Sequence, residues 1–230
     1  MFHNIVIIAA GGKGTRMGSD LPKQYQLLND RPVLMHTIEA FDNIADRVVV
    51  VIHREMEGTW KKLCEEYGFQ REHDIVFGGS TRFASVRNGL QFVEQHYAAT
   101  MGIDDMTIAV HDAARPLVDP ALIVRSFELA RQGKGNVLGI RSTNTVRLGT
   151  AAHSTATNRE EVWLIQTPQT FPAKVLFHAF QQQESKEFTD EASVVEKMGY
   201  NVLIVESSPK NIKITYPEDF AIAQSYTKTN

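Results

Sequence analysis

Short runs of aliphatic and β-branched residues recur along the chain with little alternation: Ile5 to Ala9, Val48 to Ile52, Ile75 to Phe77, Thr107 to Val110, Val137 to Ile140 and Val202 to Val205. A strand wetted on one face alternates apolar and polar residues, whereas a strand covered on both faces reads as a continuous apolar run. The stretches between them carry helical spacing: Val33 to Phe41, Met56 to Tyr67, Arg82 to Val93, Pro120 to Gln132, Ala173 to Gln182, Ala192 to Met198 and Pro217 to Tyr226. In the first of these, Leu34, Ile38 and Phe41 fall on one face, and Pro120 and Pro217 suit first-turn positions. Strand alternating with helix predicts an α/β, three-layer sandwich with a mostly parallel sheet. Ser142 to Asn158 breaks the rhythm, being rich in Thr, Ser, Asn and Ala. A structureless loop of that length is uncommon inside a compact domain, so a projecting β-arm is expected over about 142–158.

Composition narrows the partners. A chain of 230 residues, 43% hydrophobic and 22% charged, suits one domain spanning 1–230 with that arm appended. A net charge of -3 gives no bulk reason to expect nucleic acid or a membrane surface, so a polyanion must be met by a local basic cluster. The single cysteine, Cys64, excludes an intramolecular disulfide and a multi-cysteine zinc site. Its setting, Trp60-Lys61-Lys62-Leu63-Cys64, reads as an amphipathic helix holding a packed thiol. The N-terminus lacks a signal-peptide pattern, and no apolar run approaches the roughly 20 residues that span a bilayer. A soluble, cytoplasmic protein is expected.

The first apolar run leads into Ala10-Gly11-Gly12-Lys13-Gly14-Thr15-Arg16. Ligands of open α/β sheets gather at the carboxyl ends of strands, and glycines there let phosphate oxygens approach backbone N–H groups. Arg16 and Lys23 follow closely, and two cations beside a glycine nest suit a triphosphate. The spacing Gly12-Lys13-Gly14-Thr15-Arg16-Met17-Gly18 has one residue too many for a dinucleotide fingerprint, and Gly14 replaces the Ser/Thr of a Walker loop. A tight turn without a ligand is the alternative. Gly78-Gly79-Ser80-Thr81-Arg82 likewise ends a strand and opens a helix containing Ser85. It is either a plain turn or a donor-rich ligand site.

His111-Asp112-Ala113-Ala114-Arg115-Pro116 places an aspartate at a strand end, where it can hold a hydroxyl or a magnesium-bound water. Arg115 offers a fork for phosphate or carboxylate, simple pairing with Asp112 being the alternative. His111 reads as a structural histidine, and the histidines show no metal-ligand spacing. Arg159 precedes the run Val162 to Phe171, whose embedded Gln166, Thr167 and Gln169 suit a substrate-facing strand end. In Asn211-Ile212-Lys213-Ile214-Thr215, strand alternation sends Lys213 away from its apolar neighbours. Arg16, Lys23, Arg115, Arg159 and Lys213 together supply the local positive cluster. With no nucleophile elbow, no Cys-His spacing and no Asp-x-Asp, displacement at a nucleotide phosphorus is the reading that remains.

Taken in order, these motifs resemble the 2-C-methyl-D-erythritol 4-phosphate cytidylyltransferases from Ile5 to about Ala223. They comprise the glycine loop with Arg16-Met17, Pro22-Lys23-Gln24, Gly78-Gly79 with Arg82 and Ser85, and His111 to Pro116. They continue through Gln166 to Gln169, Thr189-Asp190-Glu191-Ala192-Ser193, Asn211 to Lys213 and Pro217-Glu218-Asp219. The resemblance implies a nucleotidyltransferase fold, Mg²⁺ carried mainly by CTP phosphates, and a homodimer joined through the arm. It implies transfer of CMP from CTP to methylerythritol phosphate, a polyol phosphate, with pyrophosphate released in the non-mevalonate isoprenoid pathway. Arg16 and Lys23 would then stabilise the transition state, and Arg159 and Lys213 would position the attacking phosphate. Ala10, Gly11, Gly12, Gly14, Gly79, Arg82 and Ser85 would hold the nucleotide. Asp112, Arg115, Thr145 and Thr167 would surround the acceptor, some of them from a partner subunit.

Ala10-Gly11-Gly12 is also similar to the ribitol-5-phosphate cytidylyltransferases, and Asn144 and Asn158 stand where the first family commonly has aspartate. Ala114 and Thr189 to Ser193 match the isoprenoid branch. A non-catalytic nucleotide-binding protein is the alternative from another class, but it predicts loss of the basic set, which is present.

Overall fold

The computed structural model describes residues 2–12 and 21–227. Its framework is a seven-stranded sheet in which β1 (His3–Ala10) lies between β4 (Arg47–Ile52) and β6 (Met106–Asp112), pairing with both in parallel. β5 (Asp74–Phe77) closes one edge, parallel to β4. On the other side β10 (Trp163–Pro172) runs antiparallel between β6 and β7 (Asn136–Arg141), and β11 (Leu203–Glu206) ends the sheet parallel to β7.

The unbroken apolar runs have the predicted cause. Ile5, Ile7, Val49 and Val51 point to one face, where they pack with α3 (Arg82–Met101), α5 (Ala173–Ala179) and α6 (Glu191–Glu196). Val6, Ile8, Val50 and Ile52 point to the other, against α1 (Val33–Glu39), α2 (Glu57–Glu66) and α4 (Pro120–Arg131). Side chains that alternate in direction are therefore apolar at every position because both faces are covered. Pro120 sits in the first turn of α4 as expected, with the Asp119 side chain accepting from the Ala121 N–H at 2.8 Å.

Several boundaries differ from the sequence reading. Helix α3 continues past Val93 to Met101, because Tyr97 and Met101 still reach the core. The segment Leu27 to Pro32 folds as a small hairpin, β2 (Leu27–Leu28) with β3 (Arg31–Pro32). Its corner is Asn29 and Asp30, at φ 48° and 62°, two residue types that tolerate this left-handed backbone. Residues 211–215 join no ladder, so Lys213 is not on a strand. The alternation survives nonetheless. Ile214 is fully buried and Ile212 partly so in a small cluster with Leu28 and Ala223, the latter from α7 (Glu218–Thr227), while Lys213 is exposed.

The segment expected as an arm carries a two-stranded hairpin, β8 (Arg147–Gly149) with β9 (Ser154–Ala156). Arg147 braces it by donating to Ser154 Oγ at 2.8 Å and to the Ser154 carbonyl at 2.7 Å. Residues 147–153 are all exposed, and Leu148, at its outer strand, leaves 61% of its surface open.

Candidate active site

The strands β1, β4, β5 and β6 deliver their carboxyl ends to one cleft of about 610 Å³. Ala10, Gly11, Gly12, Lys23, Gly79, Arg82, Ser85, Asp112 and Lys213 line it, gathered from both ends of the chain. Gly14 and Arg16 lie outside the described residues.

Two glycine turns form one wall. In the first, the buried amide of Gln24 donates Nε2 to the Ala10 carbonyl at 2.7 Å and to the Gly12 carbonyl at 3.0 Å. Two backbone oxygens that would repel a phosphate are thereby occupied, and the adjacent Lys23 is set at the cleft. In the second, Ser85 Oγ accepts from the Gly79 N–H at 3.1 Å and donates to the Thr81 carbonyl at 2.8 Å. A Cβ at Gly79 would stand 2.5 Å from Ala84 Cβ, and one at Gly78 2.7 Å from Ser85 Oγ, so this turn can be built only from glycine. Gly11 is different. A methyl there would meet Ser85 Oγ at an ordinary 3.5 Å.

The opposite wall is a charge cluster around Asp112. Its Oδ2 receives Lys213 Nζ at 3.0 Å and Arg115 Nε at 3.3 Å, while Arg82 Nη2 stands 3.8 Å from Oδ1. Burial by itself would raise the Asp112 pKa; Lys213, Arg82 and Arg115 outweigh it and hold the carboxyl well below the usual carboxylate range. Arg82 is held from behind by the fully buried Glu191, through Nη1–Oε1 at 2.5 Å and Nη2–Oε2 at 2.9 Å.

The pairing of Asp112 with Arg115, the alternative reading of that motif, is present but is only part of the cluster. Arg115 lies behind Asp112 rather than on the cleft, 8% exposed, and donates Nη1 to the Asn211 carbonyl at 2.8 Å. Thr167 also faces inward. Its hydroxyl accepts from the Asp112 N–H at 3.0 Å and donates to His111 Nδ1 at 3.0 Å. His111 Nε2 then donates to the Arg115 carbonyl at 3.0 Å, a neutral tautomer with both nitrogens satisfied. Burial pushes the His111 pKa down to about 4, in keeping with the structural role read for it.

Thr145 and Arg159 are not brought into this cleft. Both are exposed, Thr145 on the arm and Arg159 just after it, where its Nε stands 3.5 Å from Glu160 Oε1. Gln24, Glu191 and His53, a cleft-lining residue at the end of β4, were not singled out as site residues by sequence reasoning. Gln24 and Glu191 sit within motifs that were noticed, but a buried glutamine or glutamate has no sequence mark that separates it from an exposed one.

Among the described residues, no three His, Cys, Asp or Glu side chains come together to hold a metal ion. No helix among them is long and apolar enough to cross a membrane.

A glycine-lined nest opposite a charge cluster around Asp112, at the carboxyl ends of a mostly parallel sheet, fits the nucleotidyltransferase class. The family model described as 2-C-methyl-D-erythritol 4-phosphate cytidylyltransferase matches residues 4–229. The chain is 45% identical over 222 residues to the protein of that name from Bacteroides thetaiotaomicron, covering 96% of this chain and 97% of the other. With the Porphyromonas gingivalis protein of the same name it shares 41% over 220 residues, 95% of each chain. A solved structure of the Francisella tularensis enzyme superposes with a TM-score of 0.78 at 33% identity, covering 97% and 99%. The chain belongs to the 2-C-methyl-D-erythritol 4-phosphate cytidylyltransferase family.

Proposed function

We propose that this cleft transfers the cytidylyl group of CTP to 2-C-methyl-D-erythritol 4-phosphate, giving CDP-methylerythritol and pyrophosphate for the non-mevalonate isoprenoid pathway. The observation that carries the reading is the meeting of Lys23 and Lys213 with two glycine turns in one cleft, beside Asp112, a carboxylate that Lys213, Arg82 and Arg115 keep ionised. The acceptor's phosphate oxygen attacks the α-phosphorus, a new P–O bond forms, and the bond to the β-phosphate bridging oxygen breaks. The electron pair leaves with pyrophosphate. A phosphate monoester dianion carries no proton on the attacking oxygen, so no general base is required. The difficulty is bringing two polyanions together.

The chain's residues address that difficulty. Ala10 to Gly12 and Gly79, with Gly14, cradle the nucleotide, and Ser85 acts by fixing the Gly79 turn. Lys23, with Arg16, neutralises charge at the α-phosphorus and leaving group, and Lys213 orients the attacking phosphate. Asp112 accepts from a polyol hydroxyl, while Arg115 and Thr167 set its position from behind. Magnesium, when bound, would screen the triphosphate. A hard cation of this kind can be held mainly by phosphate oxygens and water, which fits a cleft whose Asp112 is already engaged by Lys213 and Arg115.

We further read Thr145 and Arg159 as serving the cleft of a second copy, with 142–158 as the dimer arm of a single-domain, cytoplasmic enzyme. Their exposure, and that of Leu148, supports this. Pyrophosphate release from CTP should be measured with methylerythritol 4-phosphate and ribitol 5-phosphate in parallel. Release with the first acceptor and little with the second is expected. Preference for ribitol phosphate would reassign the acceptor, and release with neither would overturn the reading.

A further inference from the structure

The motif Thr189 to Ser193 has no direct contact with the proposed chemistry, yet the structure ties it to the cleft by two steps. Helix α6 is pinned at its start by Gln169 of β10, whose Oε1 accepts from the Ala192 N–H at 2.9 Å and whose Nε2 donates to Asp190 Oδ2 at 2.9 Å. Asp190 and Ser193 close a reciprocal capping box over the same turn. Glu191 is thereby held fully buried, with both carboxylate oxygens turned onto the two terminal nitrogens of Arg82.

Arg82 stands between two carboxylates and engages them unequally. It makes a two-pronged pair with Glu191, the strongest geometry available to a guanidinium. Its approach to Asp112 Oδ1 stops at 3.8 Å, beyond hydrogen-bond length. Lys213 and Arg115 both address the other oxygen, Oδ2. Asp112 lines the cleft, and Oδ1 is its oxygen with no described cation within hydrogen-bond length. Were Glu191 uncharged, the nearest carboxylate for Arg82 would be Asp112 itself.

We infer that Glu191 is a positioning residue for the polyol phosphate: it draws Arg82 back from Asp112 and so keeps Oδ1 open to a hydroxyl of the acceptor. This rests on the reading of the cleft given above. A plain structural bridge between α3 and α6 would alter melting temperature and leave substrate recognition alone.

Wild-type turnover with CTP and methylerythritol 4-phosphate comes first; its absence would overturn the functional reading itself, separately from this inference. In active enzyme, Glu191→Gln should raise the acceptor KM by about tenfold or more, as expected for losing one charge-assisted hydrogen bond, with the CTP KM held within about twofold. Glu191→Asp, which keeps the charge but shortens the reach to Arg82, should raise the acceptor KM only about threefold, again with the CTP KM unchanged. An unchanged acceptor KM in Glu191→Gln, an equal rise for CTP, or a Glu191→Asp variant as impaired as Glu191→Gln would overturn the inference. If thermal melts show that Glu191→Gln does not fold, Glu191→Asp decides alone: a rise of about threefold confined to the acceptor KM supports the role, and an unchanged acceptor KM or an equal rise for CTP contradicts it.

Discussion

At the scale of single residues, the two glycines at the cleft wall make opposite demands. Gly79 has no room for a Cβ, while Gly11 has ordinary van der Waals space toward Ser85. Gly11→Ala should therefore keep kcat/KM within about threefold of wild type, the scale of a change that makes no new clash. Gly79→Ala should lower kcat/KM for CTP at least about tenfold, since overpacking costs on the order of 1–3 kcal/mol and the turn is the binding wall. Steady-state kinetics with CTP varied checks both. The space beside Gly11 leaves room for either glycine or alanine. Lys23→Ala and Lys213→Ala should each slow turnover by about a hundredfold, the typical cost of one preorganised charge contact, with far-UV circular dichroism unchanged. Near-normal turnover in either variant would remove that lysine from its role.

The strand and turn of β6 belong to the scale of elements. His111, Asp112, Arg115 and Thr167 form one hydrogen-bonded unit in which His111 is neutral and fully buried. Its folded pKa of about 4 lies below the ordinary histidine value, so the unfolded chain binds the proton more tightly. Stability from this group is complete above about pH 6.5 and is lost as pH falls toward 4, by roughly 3 kcal/mol in all. Asp112, also depressed, acts in the same direction in a lower window, below the ordinary carboxylate value. Melting temperature against pH should accordingly fall between 6.5 and 4 in the wild type and fall less in His111→Gln. Equal slopes would show that His111 titrates normally.

The elements also mark how far the sequence could be read. Apolar runs located the central strands and most helices because burial on both faces leaves an unmistakable pattern. The antiparallel β10 is interrupted by Gln166-Thr167-Pro168 at an irregularity in its pairing with β7, so its full length and direction were not legible. The β2–β3 hairpin is too short to show alternation, although Asn29-Asp30 was a usable turn signal. Lys213 was rightly sent away from Ile212 and Ile214, but for packing reasons rather than from strand pairing.

For the whole molecule, the ordered motifs gave candidate residues but not where each one faces. Lys23, Asp112 and Lys213 converge in one cleft, whereas Thr145 and Arg159 face outward on or beside the exposed arm. Direction in space is a tertiary property that residue type and spacing do not encode. If Arg159 completes a partner's site, Lys23→Ala and Arg159→Ala chains should each be inactive alone. Unfolded together and refolded at equal amounts, they should recover about a quarter of wild-type activity, since half the dimers then carry one intact site. No recovery would place both residues in the same chain's site.

The central claim is a direct displacement at the α-phosphorus of CTP, with the acceptor's own phosphate as nucleophile and no covalent enzyme intermediate. It is tested most directly by turning over CTP made chiral at the α-phosphorus with a single sulfur, using methylerythritol 4-phosphate as acceptor. Inversion of configuration in the CDP-methylerythritol product is the predicted result. Retention would require two displacements, and with them a nucleophile on the enzyme that this account does not contain.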